Sequence, residues 1–213
     1  MELTWLGHAC FRLKNRDTTI ILDPYGPNCG YPSRNFGEAD VVTVSHNHAA
    51  HDNVGGVSKQ RLVISGPGEY EVAGVLITGV RTFHDAMRGA ERGANTAFVF
   101  EIDELRICHL GDLGHVPTPQ QAEALSGAEI LLIPVGGHTT IDAAAAAEVV
   151  SLLEPRIAVP MHYRADGSTV DLDPLGPFLK QMGVSAPQPS ARLSVTRTSL
   201  PLETTVSVLE YRR

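Results

Sequence analysis

The stretch TVSHNHAAHDN, residues 43 to 53, carries three of the nine histidines of the chain within six positions. They are His46, His48 and His51, and they follow an apolar run that begins at Val41. Side chains two positions apart in an extended segment point to the same side, so His46 and His48 can face one point, and His51 can approach it from beyond the turn. Neutral imidazoles are ordinary ligands of zinc, so the stretch predicts a metal site. The alternative is a polar surface loop with chance histidines.

Further candidate ligands follow other apolar runs of the chain. His84 stands in TFHD, Asp112 in HLGDLGH and His162 in PMHY. Sites on layered sheet folds are built where strands end, so these side chains and the histidine stretch can share one site. A single histidine at a strand end is more often a hydrogen-bonded structural residue than a ligand. Four such segments in one chain favour a metal site.

Length and composition limit the class of protein. With 213 residues, of which 43% are hydrophobic and 19% charged, the chain is predicted to form one globular domain over residues 1–213. The net charge of −7 and the lack of a Lys/Arg cluster disfavour a nucleic-acid partner. The three cysteines show no CxxC spacing, which disfavours a disulfide framework.

The first residues, MELTWLGHAC, do not match a secretory signal, and no apolar stretch approaches the ~20 residues that span a bilayer. We therefore expect a cytoplasmic protein without a membrane partner. The expected partner is a small-molecule substrate, and homo-oligomer formation stays open.

The sequence predicts strands in the first half and helices in the second. Short apolar or alternating runs continue to about residue 110, interrupted by Gly, Asn and Asp. Helices are predicted at residues 118–127 with Thr118 as N-cap, at 142–155 with Asp142 as N-cap, and at 173–183. AEILLIPV and RIAVPMHY between them are typical of buried strands. The runs RLSVTRTSL and TTVSVLEY predict a C-terminal hairpin across residues 201–203.

These motifs together resemble a known family. SHNHAAHD resembles the His-x-His-x-Asp-His signature of the metallo-β-lactamase superfamily, HLGDLGH resembles its Gly-Asp motif, and VPMHY resembles the segment with its last histidine. IILDPY is similar to its early Asp motif. LGHACF is similar to the N-terminal segment of the branch that includes ascorbate-6-phosphate lactonase-like hydrolases. The resemblance implies an α/β fold, a four-layer αββα sandwich with a metal centre along one edge of the packed sheets.

The resemblance also implies the roles of the ligands. His46, His48 and His84 would bind a first metal, His51 and His162 a second, and Asp112 would bridge the two. Zn²⁺ is the expected metal, in one or two ions, with Mn²⁺ or Fe²⁺ as alternatives. A metal-bound hydroxide would be the nucleophile of a hydrolase acting on a small ester, lactone, amide or phosphoester. Asp112 and His115 are the expected catalytic residues.

Ala50 departs from the family signature, which has an aspartate at this position. Alanine has no ligand atom, so the second metal is expected to bind more weakly. Asp52 is either a substitute ligand or an N-cap for the turn after the motif. The departure also leaves open a metal-binding protein with little activity.

Other residues are candidates for supporting roles. Asp23 is expected to orient the histidine stretch through hydrogen bonds, with an Asp–Pro turn as the alternative. His8, His115 and His138 each follow a glycine and can be aimed into the pocket as substrate contacts or proton donors, or lie exposed on loops. Tyr163 and Arg164 are candidates for contacts to an anionic substrate. Three residues are expected to be buried and structural: His109, Cys10 and Cys108.

Two other activities remain as alternatives to the hydrolase. A nuclease or phosphodiesterase of the same superfamily is disfavoured by the net charge and by the lack of room for an inserted nucleic-acid-clamping domain. An iron-dependent redox enzyme is compatible with the ligand types, but we find no flavin-binding domain in the sequence.

Overall fold

A computed structural model describes residues 1–27, 29–166 and 168–211 of the chain. Within these residues, thirteen strands form two sheets that share one apolar core. The strands in chain order are β1 (Glu2–Gly7), β2 (Cys10–Lys14), β3 (Thr19–Leu22), β4 (Val41–Thr43), β5 (Leu62–Ile64), β6 (Gly68–Val72), β7 (Val75–Phe83), β8 (Ala94–Ile102), β9 (Leu105–His109), β10 (Ile130–Pro134), β11 (Ile157–Met161), β12 (Leu193–Ser194) and β13 (Thr205–Val206).

Both sheets are mixed. The first has the strand order β12-β1-β2-β3-β4-β5 and the second the order β13-β11-β10-β9-β8-β7-β6. β10 and β11 are buried at every position, as their continuous apolar sequences predict for parallel strands covered on both faces. The predicted sandwich is confirmed.

Strand direction brings particular chain segments to one edge of the sandwich. In the first sheet, β2 is antiparallel to both β1 and β3, and β3 is parallel to β4, so β1, β3 and β4 run the same way. In the second sheet, β8 is antiparallel to both β7 and β9, and β9, β10 and β11 are parallel, so β7, β9 and β11 run the same way. The segments that follow strands of one direction within a sheet leave it at the same edge.

The three predicted α-helices are confirmed: α1 (Pro119–Leu125), α2 (Ala143–Leu153) and α3 (Gly176–Gln181). Thr118 and Gln121 form a capping box at α1, and the Asp142 side chain accepts a hydrogen bond from the backbone N–H of Ala145 at α2. α1 contacts β7, α2 contacts β10, and α3 packs on α2, so these helices cover the second sheet. Among the described helices, none combines the length and the apolar character that crossing a membrane would require.

The predicted C-terminal hairpin is wrong. β12 pairs with β1 in the first sheet, whereas β13 pairs with β11 in the second. A single 3₁₀ turn at Arg197–Ser199, capped by Thr196, separates the two runs. Each run covers the open edge of a different sheet, and this satisfies backbone groups that a hairpin between them would have left exposed on both sheets.

Candidate metal centre

In each sheet, the three strands of common direction deliver candidate ligands to one edge of the sandwich. Each candidate lies just beyond the last residue of its strand: His8 after β1, Asp23 after β3, His46, His48 and His51 after β4, His84 after β7, Asp112 after β9, and His162 after β11. The two sheets therefore contribute the two halves of one site.

The carboxylate of Asp112 lies at the centre of the site and is buried. Its Oδ2 atom is 3.1 Å from His51 Nε2 and 3.2 Å from His84 Nε2, and 3.9 Å from His46 Nε2. Its Oδ1 atom is 3.3 Å from His162 Nε2. One carboxylate thus faces imidazoles from both sheets, which is the placement expected of a group shared between two ions.

Three groups of side chains bring potential ligand atoms within 4.8 Å of one another. The groups are His46 with His84 and Asp112, His46 with His48 and His51, and His8 with His51 and His162. Of the four residues expected to bind the first metal, the structure brings His46, His84 and Asp112 together. His48 is exposed and lies instead beside His46 and His51, with its ring stacked on His46 at a centroid distance of 5.8 Å.

Several polar atoms at this site are buried and have no hydrogen-bond partner. They are His8 Nδ1, His46 Nε2, His51 Nε2, His84 Nε2, Asp112 Oδ1 and His162 Nδ1. A buried polar atom without a partner costs about 1–3 kcal/mol, so a cluster of them signals a ligand that completes the site. Imidazole nitrogens with one carboxylate suit a zinc-type dication, so the residues fit the metal that the sequence implies.

Asp23 fixes the orientation of the histidine stretch. Its Oδ1 accepts a hydrogen bond from the Ser45 backbone N–H at 2.8 Å, and its Oδ2 accepts one from the Ser45 hydroxyl at 2.5 Å and lies 2.9 Å from His51 Nδ1. In the neutral form of His51, a proton held on Nδ1 leaves Nε2, the nitrogen that faces Asp112, as the one able to bind a metal. Ser45 Oγ is also 3.0 Å from His46 Nδ1, which leaves Nε2 of that ring toward the pocket.

The charges of the site shift its pKa values strongly. Burial opposes protonation of His51, but the Asp112 and Asp23 carboxylates outweigh burial and raise the pKa of His51 to about 10. Burial, together with the neighbouring His51, lowers the pKa of His46 to about 4. Burial alone would raise the pKa of Asp112, but the charges of His162 and His51 hold it well below the usual range. In the metal-free site, Asp112 is therefore ionised and His51 is a positively charged imidazolium.

The position of Asp112 depends on Asn95 and Gly111. The Asn95 side chain donates hydrogen bonds to the Thr82 hydroxyl and the Leu110 carbonyl, and its Oδ1 accepts one from the Asp112 backbone N–H at 3.0 Å. Gly111 has a φ of 56°, and a Cβ atom there would lie 2.5 Å from Asn95 Oδ1. Only glycine allows this close approach.

The ligand cluster opens into a cavity of about 560 Å³, a size suited to a small molecule. Ala50 lines it, as do the segment Thr169–Leu172, Cys29 and Thr139. Arg92 is the basic residue of the wall, and its guanidinium lies 3.6 Å from Glu91.

His115 and Asp52 lie elsewhere. His115 does not line this cavity: its Nδ1 donates to the Val116 carbonyl and its Nε2 accepts from the Phe83 backbone N–H. Both ring nitrogens are engaged with the backbone, so the structure places His115 away from the ligand cluster, and its catalytic role stays a prediction. Asp52 lines a different cavity and belongs to none of the three ligand groups, and the N-cap position of the next turn is Asn53, whose side chain makes no capping hydrogen bond.

His138 lies on the surface, 44% exposed, with its Nε2 3.6 Å from Asp173 Oδ1. Tyr163 is buried against Trp5 at a ring-centroid distance of 5.0 Å, and Arg164 is exposed outside the cavity wall, so neither contacts the cavity. His109, by contrast, is buried as expected, with Nε2 2.8 Å from the Ala9 carbonyl.

The cysteine expectations hold in the structure: Cys10, Cys29 and Cys108 are free thiols, and Cys10 and Cys108 are buried. The sequence analysis did not single out Ser45, Asn95 or Arg92. The position of Ser45, next to His46, is a signal that could have marked it.

Comparisons with known proteins define the class. Residues 2–162 match the profile of a family described as a beta-lactamase superfamily domain. A UPF0173 metal-dependent hydrolase of Methanoculleus marisnigri is 30% identical over 186 residues, which cover 76% of this chain and 81% of that protein. A UPF0173 protein of Pyrococcus furiosus is 29% identical over 198 residues, covering 82% and 87%.

Solved structures show the same fold. A crystal structure from Thermotoga maritima, of a protein provisionally assigned as a Zn-dependent hydrolase of the metallo-β-lactamase superfamily, superposes with a TM-score of 0.78 at 41% identity. The match covers 98% of this chain and 97% of that one. The fold and the histidine–aspartate site are those of a metal-dependent hydrolase. The chain belongs to the beta-lactamase superfamily.

Proposed function

We propose that the chain hydrolyses a small ester, lactone, amide or phosphoester with two dications, zinc in the first instance, held between the two sheets. The observation that carries the proposal is the set of buried nitrogen and carboxylate atoms that converge on Asp112 without hydrogen-bond partners. His46, His48 and His84 would hold one ion, His51 and His162 the other, and Asp112 both.

Bound dications would lower the pKa of a water molecule and draw electrons from the carbonyl or phosphoryl bond to be cleaved. The protein prepares the site for this in two ways. Asp23 holds the proton of His51 on Nδ1, and Ser45 orients His46, so that lone pairs point into the cavity. Asp112 stays ionised, and its negative charge would offset the positive charge of the two dications between which it lies.

Arg92 suggests the class of substrate. Among the described residues of the cavity wall it is the one lysine or arginine, and its backbone is fixed because its N–H donates to Asp85 Oδ2 at 2.7 Å. An anionic group on the substrate can pair with the guanidinium while the scissile bond lies over the ligand cluster. We therefore favour substrates that carry a carboxylate or a phosphate.

The test is turnover of a panel of small esters, lactones, amides and phosphodiesters, with charged and uncharged members. The protein would be assayed as purified, after chelation, and after addition of Zn²⁺, Mn²⁺ or Fe²⁺. We expect hydrolysis that is lost on chelation and restored by metal, with His115→Ala as a control that keeps it. Absence of turnover of every member of the panel by protein loaded with metal would contradict the proposed substrate classes.

A further inference from the structure

The second half of the centre is short of one ligand. Where the family signature has an aspartate, this chain has Ala50, which is buried and lines the cavity. Asp52 does not fill the gap, because it lines another cavity. A dication on this side would be left with His51, His162 and a shared Asp112.

His8 lies at this gap. Its ring centroid is 4.2 Å from that of His162 and 5.0 Å from that of His51. The three residues form one of the groups whose ligand atoms lie within 4.8 Å of one another. Two ligands of one zinc ion are at most about 4.2 Å apart, since each bond is about 2.0–2.1 Å long. Movements of less than about 1 Å would therefore close the three rings around an ion.

The backbone holds His8 in place. Its carbonyl accepts hydrogen bonds from Trp5 Nε1 at 2.9 Å and from the His162 backbone N–H at 3.1 Å, which ties it to the partner ligand. Its φ of 54° is in the left-handed region, which a residue with a side chain adopts at a cost in free energy. Such conformations persist where the surrounding structure determines them, often at functional sites.

The side chain itself points to a ligand. His8 is only 6% exposed, and its Nδ1 is buried without a hydrogen-bond partner. His109, a structural histidine, also has a buried Nδ1 without a partner, but its Nε2 bonds the Ala9 carbonyl and it belongs to none of the ligand groups found among the described residues. The ring of His8 thus carries an unpartnered nitrogen and lies beside the rings of two expected ligands, His51 and His162.

We propose that His8 is a ligand of the second dication and takes the place of the carboxylate that Ala50 lacks. The inference rests on the proposed function of the same site. Because a neutral imidazole replaces a carboxylate, the metal-loaded site has one negative charge fewer. This favours an anionic substrate over a neutral one.

The test measures metal binding in three variants: His8→Ala, the double variant with His8→Ala and Ala50→Asp, and His138→Ala. His138 is a matched control, since its φ of 58° is also left-handed and it belongs to none of the ligand groups. Zn²⁺ titration by calorimetry would give the affinity of each equivalent, and the visible absorption of bound Co²⁺ would report coordination number.

We expect His8→Ala to weaken the second equivalent at least about tenfold and to leave the first unchanged. The double variant should regain that affinity, and His138→Ala should bind as the unmodified protein does. Two equivalents bound by His8→Ala with unchanged affinity would overturn the proposal.

A crystal structure of the unmodified protein with Zn²⁺ decides the matter if the variants do not fold. We expect an anomalous peak within about 2.3 Å of a His8 ring nitrogen. A second ion at His51 and His162 with His8 beyond bonding distance would overturn the proposal. Failure of the hydrolase function would appear separately, as absence of turnover by protein that holds both ions.

Discussion

Asp23→Asn should weaken both the fold and the metal centre. Asparagine keeps one oxygen, which can still accept the Ser45 backbone N–H. Its amide nitrogen replaces the oxygen that lies near the Ser45 hydroxyl and His51 Nδ1. Hydrogen bonds to a charged group contribute about 1.5–3 kcal/mol each, and two are lost. Since the Ser45 hydroxyl can turn to accept from the new amide, we expect a net loss of about 2–4 kcal/mol.

The same change should affect metal binding through the tautomer of His51. An amide N–H facing Nδ1 favours the tautomer with its proton on Nε2, the nitrogen that faces Asp112. That proton blocks the lone pair, so metal affinity should fall about 10- to 100-fold.

Thermal unfolding of chelated protein and calorimetric Zn²⁺ titration would measure the two effects. For a chain of this size, about 2–4 kcal/mol corresponds to a Tm lower by about 4–16 °C. Asp17→Asn removes the same charge from an exposed turn and should change neither quantity. An Asp23→Asn protein that matches this control in both Tm and affinity would refute the role of Asp23.

Three more predictions follow from the site. Ala50→Asp should tighten the second metal, measured as slower loss of the second equivalent to a chelator, and equal loss rates in both proteins would contradict it. The pKa of His51 in the folded protein is raised to about 10, against about 6.5 in the unfolded chain. Protonated His51 therefore contributes fully to the free energy of unfolding of the metal-free protein below about pH 6.5, and this contribution is lost as the pH rises to about 10. Denaturant unfolding should therefore show stability falling over that range by up to about 1.4 kcal/mol per pH unit more than in His51→Gln, and identical slopes would refute the shift. Gly111→Ala should lower the Tm well below that of Gly183→Ala. Gly183 has a φ of 69° and open space around its Cβ position, whereas a Cβ atom at Gly111 would also clash with Asn95. Equal losses of Tm would show that backbone strain alone is responsible.

Much of the site could be predicted because strand ends are visible in the sequence. His46, His51, His84, Asp112 and His162 each follow an apolar run, and strands of one direction bring such positions to one edge. The sandwich could be predicted for a related reason, since apolar periodicity marks strands and helices locally.

Loop residues could not be predicted in the same way. His115 follows a glycine just as His8 does, yet its nitrogens meet backbone groups of Phe83 and Val116. Which way a residue after glycine points depends on tertiary contacts that the local sequence does not encode. Asn95 was missed for the same reason, since its partners lie more than ten residues away on either side, at Thr82 and in the segment from Leu110 to Asp112.

The prediction of a C-terminal hairpin was wrong because the pairing of these runs depends on the open edges of the two sheets, at β1 and β11. The runs at β12 and β13 have alternating sequences that suit either partner. Only the folded sheets determine that one run pairs with β1 and the other with β11.

Metal content per chain is the most direct test of the central claim, that the residues around Asp112 form a metal centre. The unmodified protein, His84→Ala and His115→Ala would each be loaded with Zn²⁺, freed of excess metal, and measured by elemental analysis. His84 Nε2 lies 3.2 Å from Asp112, whereas His115 bonds only to backbone groups. We predict that the unmodified protein and His115→Ala retain the same metal and that His84→Ala loses most of it. Full metal content in a folded His84→Ala protein would contradict the account.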